Sequence, residues 1–166
     1  VALLAVALQA IAITAPLGDA DALRRVLFVS SYLLLIAFAA RNIRRPGIAV
    51  IGLGLLLNFA AVAANEGFMP ITPEVVLRTG PLPVDAVVGE WLPGSKDVLL
   101  EREDVRLWFL GDRLTWNAIS SLLRAFSIGD VVIFAGLLVT LADFFLPRLR
   151  TARVGAPTDP ATDPVR

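Results

Sequence analysis

The chain has 166 residues, 57% of them hydrophobic and 18% charged, whereas a soluble domain is about half apolar and about a quarter charged. Cysteine and histidine are absent, which excludes disulfides, thiol nucleophiles, histidine bases and zinc or haem sites built on those ligands. Basic and acidic residues balance at fifteen each, so the chain carries no general signal for nucleic acid, and its sequence calls for no cofactor.

The apolar residues gather into four blocks, each near the ~20 residues that cross a hydrocarbon core of about 30 Å. The expected fold class is therefore all-α, a polytopic membrane helical bundle with four transmembrane helices. The first span is Val1 to about Leu17, ended by Pro16 and Gly18. The second runs over about 23–40 and the third, after Arg41, Arg44, Arg45 and Pro46, over 47–64. The fourth covers about 128–146 and is expected to stop at Pro147. Residues 1–146 then form a single membrane domain, and 147–166, rich in Pro, Thr and Asp, a disordered cytoplasmic tail. The chain begins at Val1 inside an apolar run, which suggests that a preceding helix is missing.

Basic residues in short loops set orientation. The Arg41 to Pro46 loop and the tail with Arg148, Arg150 and Arg153 fall on one side, which is read as cytoplasmic; Arg24 and Arg25 on the other side weigh slightly against this. The bias toward Arg, Ala and Val suggests a bacterial chain, hence a bacterial inner membrane. The 65–127 loop is then extracytoplasmic. Within it, Thr72, Pro73 and Glu74 signal a short helix through Arg78 that Gly80 would close. Val98–Leu100 and Val105–Leu110 flank a charged turn and suggest a hairpin. Asn117 to Phe126 has one apolar face, as a helix on a membrane surface would, and Trp91, Trp108 and Trp116 fit an interface. The loop is expected to lie flat on the membrane.

Three patterns are candidates for function. Ser127 and Asp130, with Gly129 between them, resemble a capping box at the start of the fourth span, and capping is their default role. Gly47, Gly54, Asn58, Ala61 and Asn65 share one face of the third span, matched by Gly129, Gly136, Thr140 and Asp143 on the fourth, as close-packing stripes would. Counting depth from the outer helix ends places Gln9, Asn58, Ser30 or Ser31, and Gly136 at nearly one level, a polar midplane layer read as packing glue. In the loop, Glu101, Glu103, Asp104 and Asp112 match no calcium-loop spacing and read as a solvated turn; no metal site is expected.

The ordered set Leu57-Asn58-Phe59, Asn65-Glu66-Gly67-Phe68-Met69-Pro70, Leu110-Gly111-Asp112 and Phe126-Ser127-Ile128-Gly129-Asp130 resembles a family of small bacterial membrane proteins, domain of unknown function 5317. The resemblance covers most of the chain from the second span to the fourth. It implies an additional N-terminal helix but no activity. Family members are similar in carrying Ser-Lys-His ahead of the Leu-Gly-Asp motif, where this chain has Ser95-Lys96-Asp97; chemistry that needed that histidine would be lost here. The Trp116 to Arg124 stretch also departs from the shorter, proline-rich link of the family.

The resulting expectation is a non-enzymatic subunit or scaffold of a membrane complex, held in the lipid bilayer, with a protein partner or as a homo-oligomer. The alternative is a small-solute transporter or lipid-modifying protein using the polar layer and the loop carboxylates. Candidate positions are Gln9, Asn58, Asn65, Met69, Pro70, Asp112, Ser127, Gly129 and Asp130.

Overall fold

A computed structural model describes residues 1–15, 21–92, 95–116 and 125–154, with 146–154 described as helix backbone. The apolar blocks form the helices α1 (Ala2–Thr14), α2 (Asp21–Arg41), α3 (Pro46–Ala64) and α5 (Ile128–Val154). Between the last two, the loop carries strand β1 (Met69–Ile71), helix α4 (Pro73–Thr79) and strand β2 (Asp97–Leu99). Three segments, Asp21–Arg41, Pro46–Ala64 and Ile128–Phe145, are long and apolar enough to cross a membrane. At thirteen residues α1 is shorter, about 20 Å at 1.5 Å per residue. It packs along α2.

The closest helix pair is α3 with α5, antiparallel, and glycine determines it. A Cβ on Gly54 would meet the Gly129 carbonyl at 2.6 Å, and one on Gly136 would meet the Ile51 nitrogen at 2.6 Å. Gly47 faces the Gly136 carbonyl and Thr140 in the same way. Both small-residue stripes therefore meet as expected, except that Asp143 is exposed.

The stripes also fix a register that breaks the proposed midplane layer. Gly136 lies level with Gly47 and Ile51, while Asn58 lies against Gly129, at the first turn of α5. The depth count assumed that all helices end at one level, but α3 continues past the start of α5 into the loop. Gln9 takes no part in the Asn58 contacts, and Ser31 donates to the Phe28 carbonyl of its own helix at 2.6 Å. A second correction concerns Pro147, which does not end α5: the helix runs on to Val154.

The loop folds as a cap on one end of the bundle rather than as a flat film. Its own apolar cluster joins Ile71, Val75, Val76, Leu92, Leu99 and Ala125. β1 lies between two partners: β2, paired parallel with Pro70 opposite Val98, and Asp112, whose N–H donates to the Pro70 carbonyl at 3.1 Å. The expected hairpin of Val98–Leu100 with Val105–Leu110 is absent, because β2 takes its antiparallel partner from upstream. Gly89 donates to Leu99, Leu99 to Glu90, and Leu92 to Asp97. Val98 and its neighbours are thereby paired on both edges, leaving 105–110 to a turn in which Leu107 takes a positive φ of 51°. The short helix at Pro73 forms as expected, ending at Thr79. Residues 117–124, most of the expected surface helix, lie outside the described residues.

Candidate functional site at the junction of cap and bundle

The junction is built from the outer end of each long helix. After α3, Glu66 and Gly67 both take positive φ, 57° and 89°, and turn the chain back so that Gly67 donates to the Val62 carbonyl at 2.8 Å. A side chain at Gly67 would strike Arg25 of α2. Asn65, buried at the corner, donates to the Ala61 carbonyl at 2.7 Å and the Arg106 carbonyl at 2.8 Å, and accepts from the Arg106 N–H at 2.9 Å. Its amide thus acts as an extra peptide unit tying helix to cap. Met69 and Pro70, fully buried, place the central strand.

Aromatic rings seal the rest of the contact. Trp91, half-buried, packs edge-on against Phe28 and Phe68, with Arg24 5.3 Å from its ring centre. Arg25 stands 4.3 Å from the Phe68 ring. The two arginines that weighed against the orientation are therefore held under the cap by cation–π contacts. Trp108 and Trp116 are exposed.

Ser127 and Asp130 form the capping box: Asp130 N–H donates to Ser127 Oγ at 2.9 Å and Ser127 N–H to Asp130 Oδ2 at 3.0 Å. Capping is only part of their role. Asn58 donates to Asp130 Oδ1 at 2.7 Å and accepts from Ser127 Oγ at 2.7 Å, with the Tyr32 hydroxyl within hydrogen-bonding reach. Gly129 lets Asn58 come this close, because any Cβ there would overlap its amide.

Into this polar corner the cap sends Lys96, the only lysine of the chain. Its Nζ lies 3.0 Å from Asp112 Oδ2 and 3.2 Å from Asp130 Oδ2, bridging loop and α5. Asp112 is 2% exposed, so the reading of it as part of a solvated turn is wrong, whereas Glu101, Glu103 and Asp104 are exposed as expected. The parallel bridge to Ile71 draws Asp112 inward. Asp97, also buried, accepts from Ser95 Oγ and is near enough to Lys96 and Asp112 to interact with both.

Three carboxyls thus face one ammonium. Burial alone would lower Lys96, but Asp112 and Asp130 outweigh it and hold the ammonium well above its ordinary range. Burial pushes Asp112 well up against the pull of Lys96, and Asp97 is pushed up by the same cause. Asp97 Oδ1 is buried without a hydrogen-bond donor, and Asp112 Oδ2 has only the ion-pair contact with Lys96 Nζ.

Of the candidate residues, the structure brings together Asn58, Asp112, Ser127, Gly129 and Asp130, with Asn65, Met69 and Pro70 supporting them from behind; Gln9 stays apart. Lys96, Asp97 and Tyr32 were missed. The signal for Lys96 was its uniqueness in an arginine-rich chain, between Ser95 and Asp97. Among the described residues no group of His, Cys, Asp or Glu is placed to hold a metal ion.

Long apolar helices packed through glycine, three of them long enough to cross a membrane, fit the class of helical membrane proteins. The chain belongs to the family of unknown function DUF5317, whose model matches residues 1–142. No curated protein and no solved structure matches it.

Proposed function

We propose that this is a multi-pass membrane protein acting without catalysis, as a subunit or scaffold whose cap offers a fixed surface to a protein partner. The observation that carries the reading is the Lys96 bridge: an ion pair between cap and α5, backed by Asn58 and Ser127, holds the cap in one position on the bundle. Asn58 is 1% exposed and closed over by Gly129, as a packed rather than an open seam requires.

In this reading α1 is a fourth crossing, supported by apolar side chains exposed on its outer face, such as Leu3 and Val6. Arg41, Arg44 and Arg45 lie at the end of the bundle opposite the cap, which favours a cytoplasmic position for them and an extracytoplasmic cap in a bacterial inner membrane. Purification in mild detergent should yield a second chain, or a second copy, whose retention falls when Lys96→Met frees the cap. A chain that emerges alone and monomeric would overturn the proposal.

One observation favours a second reading, a solute transporter or lipid-modifying protein. The side chains of Lys96 and Asp130 are 22% and 32% exposed, so the charged cluster is open to small molecules from the cap side. Solute movement into liposomes that Asp130→Asn abolishes, with the fold retained, would decide for it.

A further inference from the structure

A second charged feature lies on the cap, in a cleft of about 410 Å³ that the Lys96 cluster does not use. Arg78 from α4, Arg102 from the charged turn and Arg113 from the segment after Asp112 all line it. Arg102 and Arg113 each stand 4.5 Å from the Trp108 ring, so one indole positions both guanidiniums at the cleft. None of the three has an ion-pair partner among the described residues, where the only salt bridges are those of Lys96.

The acids nearby do not neutralise this cleft. Asp112 also lines it, but its carboxylate is engaged by Lys96. Glu74 has its carboxyl held below the ordinary value by the Thr72 hydroxyl first, with weaker contributions from Arg102 and Arg78. Glu74 is therefore an anion near Arg102 and Arg78, but three guanidiniums against it and the engaged Asp112 leave the cleft net positive, with the Thr115 hydroxyl as a further donor. Guanidinium forks match the paired oxygens of a phosphoryl group, and holding them on a ring before binding lowers the entropy lost on contact.

We propose that this cleft binds a phosphoryl group through Arg78, Arg102 and Arg113. The group is carried by an anionic lipid headgroup or is a free phosphate; the chemistry recognised is the same. The full chain in detergent would be titrated with inorganic phosphate, followed by tryptophan fluorescence, and with phosphatidylglycerol against phosphatidylcholine, followed by retained lipid in native mass spectrometry. Both assays would be repeated on the double variant Arg102→Gln, Arg113→Gln, and on Arg44→Gln at the far end of the bundle.

The expected result is binding of at least one phosphoryl probe over phosphatidylcholine, weakened about tenfold or more in the double variant and unchanged in Arg44→Gln. Preference for phosphatidylglycerol alone identifies a headgroup, and binding of phosphate alone a free anion. Should the double variant fail to fold, Arg102→Lys with Arg113→Lys keeps the charge but not the fork, and should bind several-fold more weakly. Absence of binding by the native chain, equal binding by the variants, or an equal loss in Arg44→Gln would overturn the proposal.

Discussion

The α3–α5 seam and the junction of cap and bundle adjoin at Asn58 and Gly129, yet they hold by opposite means. The seam is apolar and depends on missing side chains: Gly47, Gly54, Gly129 and Gly136 let backbones touch, and dispersion accumulates over the contact. The junction is charged and depends on side chains being present, with one ammonium among three carboxyls. The contrast teaches where specificity resides. A stripe of small residues tolerates sliding by a turn; the hydrogen bonds of Asn58 to Asp130 and Ser127 allow one register only.

The largest effect should come from Lys96→Met, which leaves Asp112 buried without its cation, a loss of about 3–5 kcal/mol for one partner of a buried pair. Thermal unfolding in detergent, read beside protease cleavage of the cap, should show the cap released before the helices melt. Gly129→Ala comes next, at about 1–3 kcal/mol for overpacking, and should lower the melting temperature of the helices and cap together, because it pushes both Gly54 and Asn58 away. If cap and helices separated in Gly129→Ala and not in Lys96→Met, the division drawn between the two regions would fail.

Asn65→Ala removes three hydrogen bonds to backbone groups and should cost about 1–3 kcal/mol, seen as faster amide exchange at Arg106. The smallest change is in pH dependence. Asp97 and Asp112 are pushed up in the folded protein, so the folded state binds protons more tightly than the unfolded chain. Their stabilising contribution is complete below the ordinary carboxylate pKa of about 4 and fades as pH rises through the folded value. The melting temperature should therefore rise on acidification from neutral toward that range, and Asp97→Asn should flatten the slope.

Much of the bundle was legible because it follows from repeats of one residue type at helical spacing. The Gly54 to Asn58 stripe and the Ser127–Asp130 cap need only local geometry, and both formed. The cap was less legible because its pairings are short and distant. β1 and β2 are three residues each, and Val98 sits between strands from both directions, which alternation along the chain does not encode. Asp112 looked solvated beside Glu101, Glu103 and Asp104, since only the bridge to Ile71 carries it inward. The depth count failed on a boundary: it took Asn65 and Ile128 as level, whereas the polar turn at Asn65 belongs to the cap.

The long reach of the junction also orders events during synthesis. Asn58 waits for a serine 69 residues later and an aspartate 72 residues later, and Lys96 for Asp130, 34 residues on. The second and third helices can pair as a hairpin and Asn65 can tie the cap to α3 early, but the Lys96 bridge has no partner on α5 until the last helix arrives. Until then Asn58 must be hydrated or paired elsewhere. Closure of the Lys96 bridge is thus a chemical record that the final helix has packed onto the third.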